Sequence, residues 1–160
     1  MDFAFRNHLR GLLIYAAGDT AAALLLHQFS WGRLAGLALV GGTLYAWEVP
    51  AYFRWIDRRV PPAPGWGRRL GRAALSLGYF NPLWIARHLL FIRLFAGQWH
   101  LVSAELLGVA TRSFLANVPV SFVANYVIQN HVPPRWRFVA SATFSGLMAV
   151  YYALSAEWWH

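Results

Sequence analysis

The sequence of 160 residues contains no cysteine and no lysine, and only 12% of its residues are charged. Without cysteine, disulfide bonds and thiolate metal sites are excluded. The low charge leaves too little polar sequence to cover a soluble globule, because 58% of the residues are hydrophobic and nine are tryptophan. The composition therefore predicts a single helical membrane domain over residues 1–160, with the lipid bilayer as its main partner.

All fourteen basic residues are arginine, and they give the chain a net charge of +8. Most of them lie between the apolar stretches, at Arg6, Arg10, Arg58, Arg59, Arg68, Arg69, Arg72, Arg135 and Arg137. This is the distribution of charge that orients membrane helices, not a basic face that follows phosphates, so no nucleic-acid partner is predicted. It places the N-terminus in the cytoplasm and predicts an integral protein of a bacterial inner membrane.

Five apolar stretches are candidates for membrane spans, at about residues 11–29, 33–55, 70–96, 101–129 and 138–154. The predicted fold class is therefore all-α, a polytopic helical membrane protein of about five spans. The number falls to four if one segment only lies in the interface. Pro82 predicts a kink in the third span. Residues 58–69, rich in proline, glycine and arginine, are predicted to form a cytoplasmic linker between spans two and three.

A polar stripe marks the fourth span, where a small polar residue recurs every four positions. Its members are Ser113, Asn117, Ser121, Asn125 and Gln129. Residues four apart share a helix face, and the stripe is about 24 Å long at the rise of an α-helix. Hydroxyls and amides at membrane depth need partners in the protein or in water. The stripe is therefore predicted either to line a solute path or to hold helices together.

Two acids lie inside predicted spans and are candidates for gating or proton transfer. Asp19 is placed near the middle of the first span, where a carboxylate is costly and commonly functional. Glu48 lies on a second predicted face of span two, formed by Gly41, Tyr45, Glu48, Tyr52 and Trp55. Arg87 and Arg112 are the predicted buried charge partners, and the sequence does not assign either arginine to either acid.

The sequence offers little chemistry for an enzyme or a cofactor site. It has no His-Glu-x-x-His, no phosphate-binding glycine loop and no nucleophile elbow. Its histidines, including His88, are spread over different segments and are expected near the interfaces. The prediction is a protein that is not an enzyme, with no cofactor and no metal; haem held by two histidines of different spans is the alternative.

Ordered landmarks along the chain resemble the Mpv/PMP family of small peroxisomal and inner mitochondrial membrane proteins. The two more specific blocks are Tyr52-Phe53-Arg54-Trp55-Ile56-Asp57-Arg58-Arg59-Val60-Pro61 and Val132-Pro133-Pro134-Arg135-Trp136-Arg137. The others are Gly18-Asp19, Gly78-Tyr79-Phe80-Asn81-Pro82, Pro119, Ala124-Asn125-Tyr126 and Leu154-Ser155. The resemblance covers nearly the whole chain and implies a helical membrane protein with a role as a pore or metabolite channel.

The chain departs from that family at several positions. Val118 stands where the family has tryptophan, Phe122 stands where it has an amide, and the family's Trp-Asn of span five is missing. A second, weaker resemblance is to the bacterial L-alanine exporter family. It rests on Gly18-Asp19-Thr20-Ala21-Ala22, Asn81-Pro82 and the stretch from Trp99-His100 through Ser113 to Asn125-Tyr126. That resemblance implies amino-acid export by proton antiport.

Together these patterns predict a small integral membrane channel or transporter for small polar or zwitterionic solutes. Asn117, Ser121, Asn125 and Gln129 are predicted to line the path, while Asp19 and Glu48 gate it or carry protons. The alternative of the same class is the L-alanine exporter. The alternative of another class is a non-transporting accessory or structural subunit, working in a homo-oligomer or a larger membrane complex.

Overall fold

The computed structural model describes the backbone of residues 3–158 and the side chains of residues 5–150, and this part of the chain is helical without any strand. The helices are α1 (Phe3–Leu25), α2 (Trp31–Val40), α3 (Ala46–Arg59), α4 (Trp66–Tyr79), α5 (Pro82–Phe95), α6 (Glu105–Asn130) and α7 (Pro134–Trp158). The all-α prediction is confirmed. Among the described residues, two continuous helical segments, Trp31–Arg59 and Glu105–Asn130, are long and apolar enough to cross a membrane.

Helix α1 begins and ends earlier than the apolar stretch that predicted it. It ends at Leu25 because His27 adopts a left-handed backbone conformation with a φ of 53°. The amide of His27 then bonds to the Leu24 carbonyl and that of Gln28 to the Ala23 carbonyl, which is the Schellman arrangement of a helix C-terminus. Asp19 therefore lies in the last third of α1 and not near the centre of this helix.

A π-helical turn, Gly41–Tyr45, joins α2 to α3 without breaking the helix. It carries one residue more than an α-helical turn, and its Gly42 carbonyl accepts a hydrogen bond from Nδ1 of His8 at 2.6 Å. The buried face thus continues from α2 into α3 through Leu37, Val40, Tyr45, Val49, Phe53 and Ile56. The predicted face of span two is wrong in its second half, because Glu48, Tyr52 and Trp55 lie beside the buried face and are half-buried.

The third predicted span is broken into two helices, α4 and α5, where only a kink was expected. Asn81 lies between them in an extended conformation and its side chain accepts hydrogen bonds from the amides of Leu83 and Trp84. Pro82 occupies the first helical position, where its missing N–H group costs nothing. The pair Asn81-Pro82 therefore begins a new helix. A proline considered without the preceding asparagine does not reveal this helix start.

The remaining boundaries also differ from the sequence prediction. Helix α3 extends to Arg59 and α4 begins at Trp66, so the non-helical connection covers residues 60–65, not 58–69. Arginines at both edges of the predicted linker continue the helices because arginine has a good helix propensity. Helix α6 passes through Pro119 without interruption.

The helices pack in two groups around α1 and α6. Helix α1 packs chiefly against α7 on one side and against α2 and the π turn on the other, whereas α4 and α5 both lie along α6. A Cβ atom on Gly18 would collide with the Cα atom of Gly146, and one on Gly11 would collide with the carbonyl oxygen of Gly41. Glycine is therefore required for the close approach of α1 to α7 and to the π turn.

At the end of the molecule where α3 meets α4 and α6 meets α7, one carboxylate holds two arginines. Asp57 accepts from Arg72 of α4 and, at 2.8 and 2.9 Å, from Arg137 of α7. Arg72 also donates to the Val60 carbonyl at 2.6 Å, and Arg137 to the Val132 carbonyl at 3.1 Å. Arg72 and Arg137, counted above among the orienting charges between spans, are thus buried and tie the two helical hairpins together.

Candidate functional site

A cavity of about 320 Å³ lies where α6 and α7 diverge, between these two helices and α1 and α5. Helices α1 and α2 contribute Tyr15, Asp19, Ala22 and Arg33 to its wall. Helix α5 contributes Trp84, Ile85, His88, Leu89, Ile92 and Arg93, and α6 and α7 contribute Phe114, Asn117, Ser121, Asn125, Ser141, Phe144 and Ser145. The volume falls at the lower end of the range for small-molecule sites.

The polar stripe of α6 faces the inside of the molecule, but only its middle lines the cavity. Asn117, Ser121 and Asn125 are cavity residues. Gln129 is 1% exposed and lies beyond the cavity, where its Nε2 donates to Oγ of Ser76 at 3.3 Å. Ser113 is half-buried and is not a cavity residue.

A chain of hydrogen bonds connects the stripe to α4. Oγ of Ser76 donates to Oδ1 of Asn125 at 2.6 Å, and Nδ2 of Asn125 donates to the Ser121 carbonyl at 2.8 Å. Arg72 adds a contact at 3.1 Å to the Gln129 carbonyl. The stripe therefore has two parts: a cavity wall at Asn117 and Ser121, and a helix-joining seam at Gln129, with Asn125 belonging to both.

Asp19 lies in the cavity wall and forms a buried ion pair with Arg33. Nε and one terminal nitrogen of Arg33 donate to the two carboxylate oxygens at 2.8 and 2.7 Å. The side chains are 4% and 7% exposed. Two parallel hydrogen bonds satisfy this carboxylate, so the pair meets the cavity as one neutral polar unit.

The sequence did not indicate Arg33 as the partner of Asp19. Arg33 belongs to the first turn of α2, where its amide donates to the Ser30 hydroxyl at 3.1 Å. Asp19 precedes the end of α1 by six residues, about 9 Å of helix. The early end of α1 and the short connection of residues 26–30 bring an arginine side chain within reach. The signal available in the sequence was an acid and an arginine on either side of a tight turn between two helices.

Glu48, the second predicted acid, does not line this cavity. It lies in a separate, more open pocket of about 360 Å³ between α3 and the α4–α5 break, with Tyr52, Gly78, Tyr79, Asn81, Leu83, Trp84 and Arg87. Arg87 donates to the two Glu48 oxygens at 3.2 and 2.7 Å. The side chains of Glu48 and Arg87 are 23% and 32% exposed, so solvent or a ligand reaches this ion pair.

The structure pairs Arg87 with Glu48, which is one of the pairings that the sequence left open. Arg112 belongs to neither acid. Arg112 is exposed on α6, and within the described side chains it forms no ion pair. The prediction that Arg112 lies deep and pairs with an acid is wrong. Its position on α6 does not face the stripe that includes Asn117 and Asn125, since it is five residues from the first of these and not three or four.

Aromatic rings separate the cavity from the second pocket. Trp84 stacks on His88 with ring centroids 5.7 Å apart and planes at 9°, and it packs against Tyr45 at 5.2 Å and Phe80 at 5.1 Å. Nδ1 of His88 shares a hydrogen bond with the Tyr45 hydroxyl at 3.1 Å. His88, expected near an interface, is a cavity residue instead; its spacing of four from Trp84 was the signal that places both on one face of α5.

The side chains around the cavity suit the binding of a small molecule more than the catalysis of a reaction. One side of the cavity presents the Asp19–Arg33 pair, amides and several hydroxyls, and the other presents the face of α5, which is aliphatic and aromatic apart from His88 and Arg93. Among the described residues no group of three histidine or acid side chains is placed to hold a metal ion. Comparisons with protein-family models, curated proteins and solved structures find no match. The two family resemblances of the sequence therefore remain predictions.

Proposed function

We propose that the chain is an integral membrane protein that binds a small solute in the cavity between α1, α5, α6 and α7 and passes it across the bilayer. In this proposal α1, the continuous helix α2–α3, the broken helix α4–α5, α6 and α7 are the five spans, with the N-terminus in the cytoplasm of a bacterium. The resemblance to the Mpv/PMP family supports a pore or metabolite channel, and that to L-alanine exporters supports export.

The observation that carries the proposal is the cavity itself, whose wall on α6 is polar. Two buried amides and the half-buried Ser121 hydroxyl on α6 face a space of about 320 Å³, whereas large apolar side chains such as Leu115, Val120 and Val123 are exposed on the same helix. Lipid requires such an apolar exterior, and a polar interior surface is expected where a solute passes.

The side chains that line the cavity restrict the class of solute that we infer. Asp19 and Arg33 neutralise each other, whereas Arg93, which also lines the cavity and donates to the Gln98 side chain at 2.6 Å, has no ion pair among the described residues. A wall with one cationic group favours a neutral or zwitterionic solute over a bare cation. The apolar part of the wall includes the aliphatic and aromatic face of α5. The solute we infer has one hydrogen-bonding end, set against α6 and the ion pair, and one apolar end, set against α5.

The α4–α5 break supports the same function. Transporters commonly interrupt a helix at the membrane midplane and place binding groups at the break. Here the break carries Asn81 and opens onto the Glu48–Arg87 pocket. In the proposed mechanism Asp19 stays paired as part of the wall, while Glu48 is the acid that exchanges its partner during transport.

Solute flux from proteoliposomes tests the proposal with a matched pair of variants. Ser121→Leu places a branched apolar side chain into the cavity, and Val120→Leu places the same side chain on the neighbouring outward position, which is 54% exposed. Efflux of small neutral and zwitterionic solutes is expected to fall in Ser121→Leu and to be unchanged in Val120→Leu. Equal flux in both variants and the parent chain would contradict the proposal.

A second candidate function is a non-transporting subunit of a membrane complex, and the seam around Ser76 favours it. Asn125 and Gln129 are both engaged with α4 through Ser76, as expected of residues that only join helices. In that case Ser121→Leu lowers thermal stability without any flux to lose. Purification of the chain in a stoichiometric larger complex from native membranes would support this second function.

A further inference from the structure

We propose that the indole of Trp84 is the gate between the cavity and the Glu48–Arg87 pocket, so that the two are halves of one path. This inference rests on the proposed function and adds the residue that controls passage. Within the part of the chain that the structure describes, Trp84 is the one residue that lines both spaces. Its removal joins an interior cavity to an open pocket.

The position of Trp84 in the fold fits a moving side chain. It is the third residue of α5, and its amide is held by the Asn81 side chain at 3.1 Å, directly after the helix break. The first turn of a helix has fewer neighbours along its own axis than an interior turn. The indole can therefore change rotamer while the Asn81 cap keeps the backbone of α5 in place.

The contacts of the indole define a closed state in which the ring is packed but its N–H group lacks a hydrogen bond. The ring is held by stacking on His88 and by packing against Tyr45 and Phe80. Its Nε1 is buried and, among the described residues, has no hydrogen-bond partner, although the Tyr79 hydroxyl lies near it. A buried indole N–H normally has an acceptor, so this state lacks one favourable interaction.

The Glu48 carboxylate supplies an acceptor for the open state. It belongs to the same pocket as the indole and is only partly buried. Turning the indole toward this pocket brings Nε1 to the side of the carboxylate and withdraws the ring from the cavity. Because Arg87 contributes to the same pocket, the exchange of Glu48 between Arg87 and Trp84 couples the acid to the gate.

The absence of cysteine makes a direct test available. A single thiol is introduced as Ser121→Cys in the cavity, and its modification by a water-soluble thiosulfonate is timed with Trp84 present and with Trp84→Ala. A minor open state is typically populated at about 0.1–10%, so permanent opening is expected to raise the rate about tenfold or more. Leu83→Ala is the matched control, because Leu83 is adjacent, is 69% exposed and lines the open pocket alone.

Two further measurements separate a gate from a loosened fold. Ala73→Cys reports on a fully buried site of α4, and its modification is expected to stay slow in the Trp84→Ala background. Trp84→Phe, which keeps a ring at the position, is expected to give an intermediate rate at Ser121→Cys. An unchanged rate at Ser121→Cys in Trp84→Ala overturns the gate, and so does an equal acceleration at Ala73→Cys.

These outcomes are independent of flux. If Ser121→Leu abolishes flux while Trp84→Ala leaves the modification rate unchanged, the transport proposal stands and the gate fails. If modification accelerates as expected while flux is insensitive to Ser121→Leu, the gate stands as a connection between two cavities and the transport proposal fails.

Discussion

Asp19 and Glu48 are each paired with an arginine through two hydrogen bonds, yet their surroundings differ. The Asp19–Arg33 pair is 4% and 7% exposed and joins two consecutive helices. The Glu48–Arg87 pair is 23% and 32% exposed and joins α3 to the helix that follows the break. The same acid–arginine pairing therefore has two roles. The sealed Asp19–Arg33 pair fixes the cavity wall, whereas the accessible Glu48–Arg87 pair is free to exchange partners.

The largest expected effect comes from unpairing the sealed acid. Asp19→Asn leaves the guanidinium of Arg33 charged and buried, which costs about 3–5 kcal/mol of folding free energy. The midpoint of unfolding in a detergent titration measures the loss. A cost below that of Glu48→Gln would contradict the assignment of Asp19 to a sealed structural pair.

A double substitution sharpens the same point. Asp19→Leu with Arg33→Met removes both charges and replaces them with apolar side chains, so the double variant is expected to lose about 1–3 kcal/mol less than the two single variants added together. The measurement is a double-mutant cycle on the free energy of unfolding. Simple additivity would show that the two side chains do not interact.

Breaking the accessible pair is expected to cost little stability. Glu48→Gln should lower the free energy of unfolding by no more than about 1 kcal/mol, because water or lipid headgroups reach the released Arg87. Under the proposed function, this variant also removes the acid that exchanges its partner, so solute flux should fall. Flux equal to that of the parent chain would contradict the role given to Glu48.

The smallest effect is expected at Arg112, which the sequence predicted, together with Arg87, to be a buried partner of an acid. It is exposed and has no ion pair among the described residues. Arg112→Gln should change stability by less than about 0.5 kcal/mol and leave flux unchanged. A loss comparable with that of Asp19→Asn would show a buried partner for Arg112.

The helical class and the inward-facing stripe could be predicted from composition and spacing. Asn117, Ser121 and Asn125 do share an inner face because a spacing of four residues follows the helix period closely over about two turns. Over a third turn the drift matters more, and Gln129 comes to face α4 and not the cavity. Periodicity along one helix predicts a face without predicting which neighbour covers it.

The Asp19–Arg33 pair could not be predicted because it depends on where helices end. Arg33 reaches Asp19 because α1 stops at Leu25, and that stop depends on the left-handed conformation of His27, which is uncommon for a residue other than glycine. The indole of Trp84 lies between two cavities because Asn81 restarts the helix three residues earlier. Both depend on local backbone geometry that apolar runs do not encode.

The π turn at Gly41–Tyr45 has a consequence for how relatives of this chain are to be aligned. One surplus residue in a turn advances every later side chain by about 100° around the axis. A homologue with a regular helix in this region would need a one-residue gap within the span to bring its acid into register with Glu48. Alignments that forbid gaps inside predicted spans would match Glu48 with a residue on the wrong face.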